Sequence, residues 1–255
     1  MSSNDFDKYK RCGAIHWTAI SRSINSHNPF FDARYKACVN LLSELFFINK
    51  NLSVLDIGCG DGTLFYYLKK AFPDSILAGI DSSKDGIDLA KTYLKKYSIE
   101  NVELSVVDSN SLVHSSINYD IVISLDVIEH VHDANLFLSS LRNRTKHDGH
   151  MLISTPVRIN EFSSKYHTKE YFPQEFKVMI ENAGFEVIKH IKIIPIYYLI
   201  RYFTATKFIF GKSKTYKRLY NFLNIFFNYN IFLKKAPAAS YELHESQLIL
   251  AKINE

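Results

Sequence analysis

From about Leu52 onward, short apolar runs alternate with longer stretches of helical periodicity, and few folds accommodate that order. Strands read at "SVLDIG", "SILAGID", "VELSVVD", "YDIVISLD", "HMLISTP" and "FEVIKHIKI", with "SQLILAKI" as a last strand after a long interruption. Helices fit "GTLFYYLKKAF", "SKDGIDLAKTYLKKY", "DANLFLSSLRNRT" and "PQEFKVMIENAG", and an earlier one fits "DARYKACVNLLSELF". Parallel neighbours need a crossover, which a helix supplies, so the pattern predicts an α/β fold with a parallel sheet covered on both faces. Helix stops agree: Pro73 follows Phe72, and Gly184 follows "IENA".

The first strand enters its helix through "VLDIGCGDGTL". Gly58, Gly60 and Gly62 let the backbone turn sharply and leave amides at a helix N-terminus facing a ligand. Asp56, Asp81 ("AGIDSS") and Asp108 ("SVVDSN") fall at the carboxyl ends of three consecutive strands, where an open α/β sheet binds ligands. A carboxylate at Asp81 can accept from both hydroxyls of a ribose, and one at Asp108 from an adenine amino group. Each acid alone is equally a helix N-cap, and a glycine turn alone also serves nicotinamide enzymes. Three acids in register behind the glycines are harder to dismiss.

In this order, "VLDIGCGDG", "GIDSS", "VVDSN" and "SLDVIEHV" resemble the class I S-adenosylmethionine-dependent methyltransferases, over roughly Asn51 to Phe185 plus a closing strand at Ser246 to Ile253. The resemblance implies a Rossmann-like seven-stranded sheet with an antiparallel last strand, and S-adenosyl-L-methionine as cofactor. It implies that Gly58 and Gly60 approach the methionine part, that Asp81 holds the ribose, and that Asp108 faces the adenine. Asp56, Ser109, Asp126 and Val127 complete the expected cofactor-binding set. "GCGDG" lacks the third-glycine spacing of nicotinamide sites.

Asp126, Glu129 and His130 in "SLDVIEHVHD" stand at the end of the fourth strand, beside the expected position of the reactive methyl. Displacement at a sulfonium needs alignment, and an alcohol acceptor must also lose a proton to a base or bind a metal. If the chain turns helical there, Asp126 projects on one side with Glu129 and His130. The stretch is similar to the acid-x-x-Glu-His motif of ubiquinone-pathway O-methyltransferases and of small-RNA 3′-end 2′-O-methyltransferases, where it is linked to a divalent cation. On that resemblance Asp126, Glu129, His130 and His167 ("SSKYHTKEYFPQEF") form a ligand set for Mg, Mn, Zn or Fe. Two readings stand beside it. His130 with Glu129 acts without metal as catalytic base or orienting group, or the turn is purely structural. Asp133 reads as the N-cap of the next helix.

The segment from Pro195 to Lys235 holds eight of the 31 basic residues, no acidic residue and thirteen aromatics, so the rest of the chain is mildly acidic. Leu219, Phe222, Leu223 and Phe226 follow helical spacing, just after Lys214, Lys217 and Arg218. This predicts either a helix lying on an anionic membrane surface or a substrate lid whose aromatics pack on the sheet. The acidic body disfavours nucleic acid as a partner. No apolar run reaches the roughly 20 residues of a membrane span. The polar start "MSSNDFDKYK" reads as no signal peptide, and three cysteines without paired spacing read as reduced thiols. The expected location is cytoplasmic, peripheral at the inner face of the membrane.

The expected organisation is an N-terminal helical cap over 1–50, a cofactor-binding core over 51–193, the basic aromatic insertion over 194–240 and a final strand in 241–255. "YKRCGAIHWTAI" and "KYHTKEYFPQEFKVMIENAGF" resemble methyltransferases of surface-polysaccharide pathways. His16 and Trp17 fit a cap over the cofactor, and Arg34 fits a surface ion pair or a contact to the cofactor carboxylate. The expected function is O-methylation of a hydroxyl on a glycan, lipid-linked or small-molecule acceptor. A ubiquinone-type phenol, an RNA 3′ end and a noncatalytic membrane-anchoring role are the alternatives.

Overall fold

The computed structural model describes residues 8–46, 51–107, 117–158, 166–195, 214–234 and 244–254. Its strands are β1 (Ser53–Ile57), β2 (Ile76–Asp81), β3 (Val102–Val106), β4 (Tyr119–Leu125), β5 (Thr145–Pro156), β6 (Phe185–Pro195) and β7 (His244–Ile253). They form one sheet in the order β3-β2-β1-β4-β5-β7-β6. The first five strands are parallel to one another, and β7 inserts antiparallel between β5 and β6, the arrangement the resemblance implied. The helices are α1 (Lys8–Cys12), α2 (Pro29–Leu45), α3 (Thr63–Ala71), α4 (Lys84–Lys96), α5 (Ala134–Arg144), α6 (Pro173–Asn182) and α7 (Lys214–Phe227).

Period-two alternation sends successive strand residues into two apolar layers. Val54, Ile121, Ile123, Leu152 and Leu250 meet α2, α3 and α4 on one face. Leu55, Val122, Met151, Ile153 and Ile249 meet α5 and α6 on the other. Helix boundaries follow local chemistry. Asn28 accepts from the Phe30 amide at 3.1 Å with Pro29 in the first turn, and Asp133 caps α5 by accepting from the Leu136 amide at 2.9 Å. Ala37, Cys38, Leu41 and Leu42 of α2 lie inside the first layer, so this helix is part of the sheet's covering. From β3, at one edge, the chain returns to the far side of β1 to form β4. The crevice between β1 and β4 therefore opens at their carboxyl ends.

α7 docks in an unexpected orientation. Its asparagines face inward: Asn221 donates to the Ile24 and His27 carbonyls, and Asn224 donates to His27 Nε2 at 2.7 Å and to Asp32 at 2.9 Å. Asn230, just beyond, donates to Asp32 and to the Pro29 carbonyl. Leu219, Phe222, Phe226 and Phe227 face outward, so α7 does not lay them on the sheet as a lid would.

Asp32 is the buried hub of this dock, accepting also from the Tyr67 hydroxyl at 2.8 Å and pairing with Lys36 at 2.8 Å. Asp32→Ala strands several buried donors at once and should lower unfolding free energy by about 3 kcal/mol. Urea titration measures it, and an unmoved midpoint would show the network to be dispensable.

Candidate active site

The glycine turn after β1 is held by the sheet: the amides of Gly58 and Cys59 both donate to the Ile80 carbonyl. Gly58 and Gly60 have φ of 81° and 54°, in the left-handed region. A Cβ at Gly58 would stand 2.2 Å from Val127 Cγ2, and one at Gly60 would stand 1.8 Å from the Tyr9 hydroxyl. The glycines are thus required by close protein neighbours as well as by the turn. Asp81, at the tip of β2, accepts from the Gly60 and Ser83 amides at 2.8 Å each, which ties the glycine turn to the start of α4. Asp56 is wholly buried, and burial together with the neighbouring Asp81 pushes its carboxyl up to about 8. Asp108 and Ser109 lie outside the described residues.

A cavity of about 440 Å³ opens here. Gly58, Asp56, Asp81, Val127 and Asp126 line one part, and Glu129, His130, His167, Phe30 and Glu245 line another. Gly60 lies beneath Tyr9 and does not line it. The N-terminal segment roofs the glycine turn. Trp17 Nε1 donates to the Asp61 carbonyl at 2.7 Å, and the His16 amide and Nδ1 both donate to the Asp61 carboxylate at 3.1 Å. Lys8 and Tyr9 reach the cavity from α1. Burial lowers the Lys8 ammonium despite nearby Asp126 and Asp61, and burial raises the Tyr9 hydroxyl. Tyr9 opens the stretch "YKRCGAIHWTAI", but neither it nor Lys8 was singled out there as a cavity residue.

Arg34 was expected at the surface or on a cofactor carboxylate; it lies half-buried against two acids. It pairs with Asp126 at the end of β4 and with Glu245 on β7 at 3.5 Å, and its guanidinium rests on the Phe30 ring at 4.9 Å. Burial opposes its charge, but the two carboxylates hold it protonated above its ordinary value. Asp126 has φ of 54° and turns the chain out of β4. Ser154 of β5 fixes that turn, accepting from the Asp126 amide at 3.1 Å and donating to its carboxylate at 2.8 Å.

A 3₁₀ turn over Ile128–His130 follows in place of a longer helix. Asp126 therefore belongs to the Arg34 pair, while one ligand atom from each of Glu129, His130 and His167 lies within 4.8 Å of the others. His130 Nδ1 is 2.9 Å from the Tyr166 carbonyl, which can only accept, so Nδ1 carries the proton and Nε2 the lone pair. Burial lowers the pKa of His130, leaving it neutral at pH 7. Nε2 lies 4.0 Å from a Glu129 oxygen. Glu129 is pushed well upward by burial and then by Asp126, while the Thr155 hydroxyl donates to it at 3.3 Å. His167 Nδ1 sits 2.6 Å from Glu170. The set offers one neutral imidazole able to take a proton and a neighbouring carboxyl that favours its protonated form.

A family model described as "Methyltransferase domain" matches residues 48–223. Among curated relatives, the ubiquinone biosynthesis O-methyltransferase of Bartonella quintana is 26% identical over 161 residues, 61% of this chain and 64% of that protein. The protein of the same name from Sinorhizobium fredii is 31% identical over 161 residues with the same coverage. The matched stretch thus spans less than two thirds of these relatives. Among solved structures, Haemonchus contortus phosphoethanolamine N-methyltransferase 2 in complex with S-adenosyl-L-methionine superposes with a TM-score of 0.64. It is 17% identical, with 98% of this chain and 59% of that one covered, a likeness of fold.

Asp56 supplies a pH test. Unfolded, it ionises near the ordinary carboxylate value of about 4; folded, it ionises near 8. Between the two the folded chain holds a proton that the unfolded chain lacks, so stability falls as pH rises. The gain in Tm of Asp56→Asn over the parent should therefore grow through that window. A pH-independent difference would place the proton elsewhere.

Proposed function

Because the chain belongs to the methyltransferase-domain family, we propose that it moves a methyl group from S-adenosyl-L-methionine to a hydroxyl of a glycan or lipid-linked acceptor. The observation that carries the reading is His130: a neutral imidazole, its tautomer fixed by the Tyr166 carbonyl, facing a cavity that begins at a glycine turn and an acid-tipped strand. The cofactor, when bound, supplies a methyl group activated by a sulfonium charge. Asp81, whose two oxygens accept from the Gly60 and Ser83 amides, would hold the ribose with their remaining lone pairs, and Asp56 would release its proton against a nearby cation. Asp108 and Ser109 complete the adenine side of the proposal.

On the acceptor side, His130 removes the hydroxyl proton as the methyl group transfers, a step that lets a weak nucleophile react at neutral pH. Glu129, favouring its protonated form, is a hydrogen-bond donor and orienting group rather than the base. Glu245, Arg34 and His167 give the cavity polar walls and Phe30 an aromatic one, which suits a polyhydroxylated acceptor. A phenol of the quinone type is the second reading, supported by the names of the relatives. We extend the first reading to an acceptor presented at the inner membrane face; among the described residues no helix is long and apolar enough to cross a membrane.

Glu129, His130 and His167 also fit a single divalent ion, and Zn, Mn or Fe suits two imidazoles with one carboxylate. His130 and His167 each engage Nδ1 with an oxygen acceptor, the outer contact that orients a ligating imidazole. An ion there would lower the pKa of a hydroxyl brought against it.

Asp81→Ala should weaken cofactor binding by about 1–3 kcal/mol in calorimetry, through unpaired ribose hydroxyls; unchanged affinity would move the ribose elsewhere. His130→Ala should lower kcat about 100-fold while cofactor affinity holds. Full activity in that variant would remove the base assignment. Activity that survives exhaustive chelation would discard the ion and leave the imidazole.

A further inference from the structure

We propose that α7 seats this protein on an anionic bilayer, lying in the plane of the surface with Leu219, Phe222, Phe226 and Phe227 in the boundary between head groups and acyl chains. This does not depend on methyl transfer itself; it supplies the surface on which the proposed acceptor at the membrane face would be met.

An amphipathic helix packed on a water-soluble body ordinarily turns its apolar stripe inward. Here the polar stripe is inside. Asn221 and Asn224 are 0% and 4% exposed, whereas Phe226 and Phe227 are 61% and 67% exposed and Leu219 is 47% exposed. Rotating the helix to bury its phenylalanines would break the Asn221 bonds to the Ile24 and His27 carbonyls and the Asn224 bond to Asp32. Each buried amide left unpaired opposes that rotation. The outward face is therefore a built feature of the resting fold. Its rings already cluster, Phe222 lying 4.8 Å from Phe226 and 5.8 Å from Phe227 between centroids. Tyr229 continues the exposed stripe with Lys234 over its ring at 5.1 Å.

Charge selects the occupant. The stretch 214–234 holds four basic residues and no acid, and Arg218, whose Nε donates to Asn25 at 3.1 Å, stands exposed one turn before Phe222. A second copy of the chain would bring two such segments together and repel. An anionic lipid surface attracts them at about 1 kcal/mol per basic residue near it. With 14 residues, α7 is too short to span a bilayer but long enough to lie along one. The seat is close to the cavity: Phe232, after α7, packs on Phe30, which lines it.

The test is vesicle flotation of the full chain without cofactor or acceptor, comparing phosphatidylcholine alone with phosphatidylcholine containing phosphatidylglycerol. We expect uptake on the phosphatidylglycerol vesicles only, weakened by salt. The double variant Phe226→Ser, Phe227→Ser should partition about tenfold or more weakly, with circular dichroism and melting unchanged because both side chains are exposed. Three results overturn the proposal: no uptake of the parent, equal uptake of the double variant, or a parent dimer in light scattering that the double variant dissolves with no vesicle uptake by either. None of these touches methyl transfer, which is assayed separately.

Discussion

Arg34 is the charge around which the cavity is arranged. A guanidinium taken out of water is tolerated only where carboxylates and hydrogen bonds replace the solvent. Its two acids come from the end of β4 and from β7, so one side chain joins α2 to two strands remote in sequence. The acids it does not reach must settle their charge otherwise. Asp56 and Glu129 are both driven toward the protonated form by burial. Asp81 is pushed the same way by burial, against the opposing Gly60 and Ser83 amides, and only Asp61 is held below its ordinary value, by His16 against its burial. His130, its Nδ1 proton held by the Tyr166 carbonyl and its pKa lowered by burial, is the imidazole that the proposed proton transfer would use.

The sheet, the glycine turn and the acid tips at Asp56 and Asp81 were legible because each is written locally, as a two-residue or three-to-four-residue period or a turn. Asp133 as an N-cap was legible for the same reason. Arg34 was not, since nothing near it in sequence announces partners at positions 126 and 245. Lys8 and Tyr9 were missed because no spacing rule brings α1 over a glycine turn fifty residues later. Asp126 was expected to project with Glu129 and His130 along a helix; its left-handed backbone sends it to Arg34 instead. Periodicity also found the apolar stripe of α7 but carried no information on direction. A stripe is symmetric between facing the body and facing away until the opposite side is known to hold bonds, and asparagines reveal that only in three dimensions.

The first turns of α2 serve both regions. Asp32 gathers Tyr67, Lys36 and the α7 asparagines, Arg34 holds the end of β4, and Phe30 lies between the cavity and Phe232. A shift of this helix cannot change one region without the other, since packed interiors transmit strain rather than absorb it. The fold is shared with a broad set of methyltransferases at low identity.

The position of β7 has a consequence for how the molecule is made. Among the described residues β6 bonds to β7 alone, and β7 follows the sheet's other six strands in the chain although it lies second from the edge of the sheet. Until it arrives, β6 has no edge to join, β5 stands as an open border, and Glu245 is missing from the Arg34 cluster. Such far-separated pairings form slowly and leave sticky strand borders bare meanwhile. During synthesis the chain therefore passes through an interval in which six strands exist and only five have their partners, and β7 closes that interval by bridging β5 to β6.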